Sequence, residues 1–96
     1  MSPRILAAGP VVTIDAPTSR DELLDAFASA FAFPGHFGHN YDALLDCLRD
    51  VEGVLVWQRP GVLAAADPAA YETVVSVLRH RVSEGGFTAV LLADAP

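Results

Sequence analysis

"FPGHFGHNYDALLDCL", residues 33–48, reads as a turn that runs directly into an amphipathic helix. Pro34 disfavours helical backbone at the residue before it, and the glycines at 35 and 38 permit a turn, so a preceding helix ends here. Asn40 is a favoured N-cap residue, because its short side chain can accept from a backbone N–H of the first turn; a second helix begins near it. Leu44, Cys47 and Leu48 recur at helical spacing and form its inner face. Asp42 and Asp46 lie one helical turn apart on the same face, where like charges repel by roughly a few tenths of a kcal/mol. The positive end of the helix dipole favours Asp42, in the first turn, more than Asp46. No cation in the stretch neutralises either carboxylate.

Upstream, "VVTIDA" (Val11 to Ala16) reads as a short buried strand. Ser19-Arg20-Asp21-Glu22 then forms a capping-box pattern, in which the serine and glutamate each satisfy backbone N–H groups at a helix start. Leu23, Leu24, Phe27 and Phe31 follow at helical spacing, so this helix buries one side. Downstream, "GVLVW" (Gly53 to Trp57) is apolar throughout, as expected for a strand in a sheet covered on both faces, with Trp57 in the core. "RPGVLAAA" holds a brief helical turn. Asp67-Pro68 is a cap followed by proline at the first helical position. The helix after it carries Tyr71, Val74, Val75, Leu78 and Val82 on one stripe, Gly85 and Gly86 stop it, and "FTAVLL" (Phe87 to Leu92) is a third strand. Strands separated by helices favour parallel pairing. The expected fold is α/β: a small three-stranded parallel sheet packed with three to four helices, one domain over residues 1–96, with no internal repeat or linker.

Composition narrows the function. Of 96 residues, 52% are apolar, which argues against disorder. No apolar run approaches the roughly 18 residues that span a bilayer. The opening "MSPRILAAGP" is too short and too soon broken by proline for a signal peptide. The single cysteine, Cys47, can form no internal disulfide, so a cytoplasmic protein is expected. Twelve acidic residues face six arginines and no lysine, a formal net charge of −6. Such a surface repels nucleic acid and anionic membranes and suits a basic protein, although the same charge also serves solubility.

The residue types offer little for catalysis. There is no lysine, Cys47 faces inward, no serine occupies a nucleophile turn, and no glycine loop has phosphate-cradle spacing. His36, His39 and Asp42 form an H-x-x-H-x-x-D array, but zinc requires three or four converging ligands and His36 precedes the helix. No catalytic residue, metal or cofactor is expected. The rings at 36 and 37 beside the carboxylates suit a partner bearing arginine and histidine, whereas Phe37 can equally plug the core below the loop. His80, between two arginines, reads as a solvated residue of the last helix.

The same stretch resembles the barstar-like ribonuclease inhibitor family. The resemblance lies in an aromatic-rich loop followed by Gly38, x, Asn40, x, Asp42-Ala43-Leu44, x, Asp46-Cys47-Leu48, and the order of elements agrees along most of the chain. It implies the three-stranded parallel fold reached above. It also implies an intracellular inhibitor, an immunity protein or antitoxin, that plugs the active site of a ribonuclease one to one with residues 35–50. The implied partner is a basic guanyl-specific ribonuclease, barnase-like or related, and the free inhibitor is expected to be a monomer. By matching positions, Asp46 is the main anchor where RNA phosphate would sit, and Asp42 pairs with a second basic residue at the rim. Gly38 and Asn40 shape the loop and cap the helix. His36 stands where the family usually has tyrosine, with Phe37 beside it. Leu45 and Val51 stand where tryptophan is frequent, and His80 falls near a contacting glutamate. These departures leave an alternative: an acidic adaptor or regulatory protein that keeps the fold but binds a non-nuclease partner.

Overall fold

Leu55 faces Val12 on one side and Ala89 on the other, and the sheet follows from that register. In the computed structural model, which describes residues 11–35 and 37–93, β1 (Val11–Asp15), β2 (Gly53–Gln58) and β3 (Phe87–Leu92) pair in parallel in the order β1-β2-β3. Four helices connect them: α1 (Arg20–Ala30), α2 (Tyr41–Arg49), α3 (Gly61–Ala66) and α4 (Pro68–Ser83). The α/β fold expected from the sequence is therefore present, with four helices. None of the described helices is long and apolar enough to cross a membrane.

Parallel register places alternate residues of all three strands on a common face. Ile14, Leu55, Trp57 and Phe87 are buried on one face, together with Leu23, Leu24 and Phe27 of α1, Leu44 and Leu48 of α2, Leu63 of α3 and Val74 and Leu78 of α4. The opposite face corrects the expectation of two-sided cover. It carries Val11, Val90 and Leu92, which are 65%, 37% and 46% exposed, along with exposed Thr13 and Thr88. Val54 and Val56 in the middle strand are half-buried, shielded on each side by a neighbouring strand. An unbroken apolar run in β2 thus reflects its central position. β1, read as buried, is an edge strand with only Ile14 fully inside.

Helix α4 also turns differently from its predicted stripe. Ala70, Val74, Leu78 and Arg81 are buried, whereas Val82 is 39% exposed. The inward end of the stripe is taken by the Arg81 guanidinium, which rotates Val82 towards solvent. At the start of α1 the Ser19 hydroxyl accepts from Glu22 N at 3.1 Å. Glu22 Oε1 accepts in return from Thr18 N at 2.9 Å, one residue further back than the usual capping box. That backbone hydrogen bond holds the Glu22 carboxyl below the ordinary glutamate range.

Candidate functional site: an acidic helix and its supporting loop

α2 is fixed from its inner side. Asn40 is its N-cap in extended backbone, and Asn40 Oδ1 accepts from Ala43 N at 2.8 Å, as the sequence predicts. Leu44 and Leu48 are wholly buried, and Tyr41, Ala43 and Cys47 pack half-buried against the same core. The outward positions carry Asp42, Asp46 and, just past the last turn, Asp50, all exposed. These three carboxylates make no hydrogen bond or ion pair with a described residue. Leu45 lies half-buried beside them, and Val51 is half-buried against the core. Burial pushes the Cys47 thiol up, with Asp46 and Asp50 adding to the effect, so it is a poor nucleophile at neutral pH.

The loop before α2 is tied to α1. Phe37 is only 8% exposed, its ring 5.0 Å from those of both Phe33 and His39. Of the two readings of Phe37, the structure therefore places the ring in the core, with little surface left for a partner. His39 Nε2 lies 2.6 Å from Asp25 Oδ1 on α1. Arg20 donates from one Nη to the His39 carbonyl at 2.8 Å, and its guanidinium lies 5.2 Å over the Tyr41 ring. His39 thus turns away from Asp42 towards α1, and among the described residues no three His, Cys, Asp or Glu side chains gather to hold a metal. His36 lies outside the described residues. Gly38 has no left-handed backbone, and among the described residues a Cβ there would meet only Asn40 Nδ2, at an ordinary 3.5 Å.

The far end of α2 is held by α4. Arg81 is 4% exposed and makes no salt bridge with a described residue, although its charge helps to lower the Glu84 carboxyl. Its Nε donates to Leu48 O at 2.8 Å, and its two Nη donate to Gly85 O at 2.6 Å and Val51 O at 2.8 Å. The guanidinium also stacks 5.3 Å over the Phe87 ring. The carbonyl-rich C-terminal end of α2 is where a cation is favoured, and the rigid guanidinium fork serves three acceptors at once. On the surface, Arg49 donates to both oxygens of Glu84, at 2.9–3.2 Å, and so links α2 to α4. That hydrogen bond holds the Glu84 carboxyl below its ordinary range and raises the Arg49 guanidinium further. His80 is 56% exposed, with Nε2 3.4 Å from Glu84 Oε2 and 3.4 Å from an Arg49 Nη.

The structure therefore gathers Asp42, Leu45 and Asp46 on one exposed helix, supports them through Asn40 and Phe37, and places His80 next to the end of that helix. The sequence reading missed Arg20, Asp25, Arg49, Arg81 and Glu84. Their partners lie 14 to 35 residues away, beyond any local periodicity.

A three-stranded parallel sheet, helices on one of its faces, and an acidic helix clamped at both ends define a small α/β protein built to present a surface. The chain belongs to the barstar family: residues 10–91 match the family described as Barstar (barnase inhibitor). Members of that family are inhibitors rather than enzymes, and the kind of partner they bind is a barnase-like ribonuclease. No curated protein matches the chain.

Proposed function

We propose that this protein inhibits a basic, guanyl-specific microbial ribonuclease by seating α2 and its preceding loop in the active site. The observation that carries the reading is the row of exposed carboxylates at Asp42, Asp46 and the C-cap Asp50, without a hydrogen bond or salt bridge to a described residue, on a helix whose inner side and both ends are fixed. A ribonuclease holds positive charge where the phosphate of RNA binds. A carboxylate carried there on a fixed helix replaces the phosphate charge without a scissile bond, and little backbone entropy is lost on binding because the helix is already set. Asp46, in mid-helix, is the anchor, and Asp42 contacts a second cation at the rim. Leu45 supplies the apolar contact between them. Phe37 and Asn40 act from beneath by fixing the loop and the first turn. The net charge of −6 steers encounter with a basic enzyme.

The test is titration of the purified chain into guanyl-specific ribonucleases while RNA cleavage is followed, with Asp46→Ala alongside. Loss of cleavage at one equivalent, relieved at least about a hundredfold in concentration by the substitution, supports the reading; that scale comes from charge pairs measured in the barnase–barstar complex itself. Failure to inhibit any such ribonuclease returns the face to the adaptor alternative.

A further inference from the structure

The cations of this acidic chain are unevenly committed. Arg20 is engaged by Asp21 and the His39 carbonyl, Arg59 by Asp15, Arg49 by Glu84, and Arg81 by three backbone carbonyls. Arg79, exposed on α4, makes no hydrogen bond or ion pair with a described residue. It shares one helical face with Ser76, His80 and Ser83, and the four line a shallow concavity of ≈ 300 Å³.

This corner is continuous with the acidic helix. Arg49 in the last turn of α2 reaches both His80 of α4 and Glu84 at its C-cap, so the surface passes from Asp46 through Arg49 to His80 and Arg79 within adjoining turns. The charged groups described beside His80 are Arg49 from α2, Arg79 from α4 and Glu84, the C-cap of α4. Arg49 and Glu84 neutralise each other, with Asp46 also beside Arg49, which leaves Arg79 as the cation of this corner without a described partner. The exposed face thus has two poles, negative on α2 and positive on α4.

We infer that Arg79 and His80 form a cationic rim that contacts a carboxylate of the same protein partner whose cations receive Asp42 and Asp46. The inference rests on the ribonuclease-inhibitor reading and deepens it by specifying the partner: an enzyme whose positive phosphate site is flanked by an acidic group. Opposed charges at two ends of an interface fix its orientation, and they penalise a partner that is basic at both places, because like charges then meet at the rim. The rim selects among ribonucleases, while the carboxylates of α2 supply the inhibition common to them.

The experiment measures inhibition of a panel of guanyl-specific ribonucleases by four chains: wild type, Asp46→Ala, the reversal Arg79→Glu with His80→Glu, and the neutral pair Arg79→Gln with His80→Gln. Inhibition is read at low and high salt, and thermal melts confirm folding. Against the ribonuclease that wild type inhibits best, the reversal is expected to weaken inhibition about tenfold or more, the neutral pair less, with both losses shrinking as salt rises. If the reversal fails to fold, a salt-sensitive loss in the neutral pair supports the rim, and no loss overturns it. Unchanged or tighter inhibition by the reversal, while Asp46→Ala still relieves inhibition, overturns the rim and leaves the inhibitor reading standing. No inhibition by wild type anywhere in the panel removes both.

Discussion

The Arg81 guanidinium reaches back to the Leu48 carbonyl through a 2.8 Å hydrogen bond that spans 33 residues of sequence. Through this bond and its companion to Val51, the fourth helix holds the end of the helix that carries Asp42 and Asp46. A buried cation is costly unless its donors find acceptors, and here the acceptors are the Leu48 carbonyl in the last turn of α2, the Val51 carbonyl just past it and the Gly85 carbonyl in the turn after α4.

Arg81→Met keeps much of the side-chain length and removes all of these donors. It is expected to lower folding stability by on the order of 3 kcal/mol, because three hydrogen bonds from a buried charged group are lost at once. Arg81→Lys should recover only part of the loss, since an ammonium cannot span three diverging acceptors as a planar fork does. Chemical denaturation midpoints compare the three chains. A Met variant within about 0.5 kcal/mol of wild type would show that the network contributes nothing to stability.

Asn40 and Gly38 separate support from contact. Asn40→Ala deletes the acceptor for Ala43 N and is expected to cost about 1 kcal/mol, with Asn40→Asp restoring it. Gly38→Ala should leave stability within about 0.5 kcal/mol, because the backbone is not left-handed and the added methyl meets only an ordinary contact. If Gly38 lies against the ribonuclease, the same substitution weakens inhibition without shifting the melt. A stability loss in Gly38→Ala equal to that of Asn40→Ala would mean that the loop itself demands glycine.

The order of elements and the presentation of α2 were legible because they depend on local signals: apolar runs, helical spacing, and Asn40, Ser19 and Asp67 as caps, all three of which accept the expected backbone hydrogen bonds. What could not be read was set by tertiary contact. Val54 and Val56 are apolar whether a second layer of helices exists or not, so β2 alone does not report that one sheet face is open. Arg81 carries a charge that usually marks a surface, and two of the three carbonyls that accept from it lie 30 or more residues away, at Leu48 and Val51. Phe37 fits a core or a contact equally well by residue type. The ring of Phe33 and the Arg20 and Asp25 anchors decide between them.

Glu84 gives the clamp between α2 and α4 a pH dependence of definite sign. Its carboxyl is held below the ordinary glutamate range, chiefly by the hydrogen bond from Arg49, with burial opposing. A carboxylate with a lowered folded value contributes stability that is fully present above its unfolded value and is lost as the pH falls through the folded one. Glu84→Gln is therefore expected to be less stable than wild type at pH 7, with the gap closing as the pH falls below the ordinary glutamate range and through the lower folded value. Arg49→Gln should remove the same contribution and lose the same pH dependence. The effect is modest because the pair is partly exposed, with side chains 46% and 32% accessible, so high salt should shrink it further. Denaturation of the three chains between pH 3 and pH 8 provides the check. A wild-type advantage that persists unchanged at pH 3 would mean that Glu84 stabilises α4 by packing rather than by its charge.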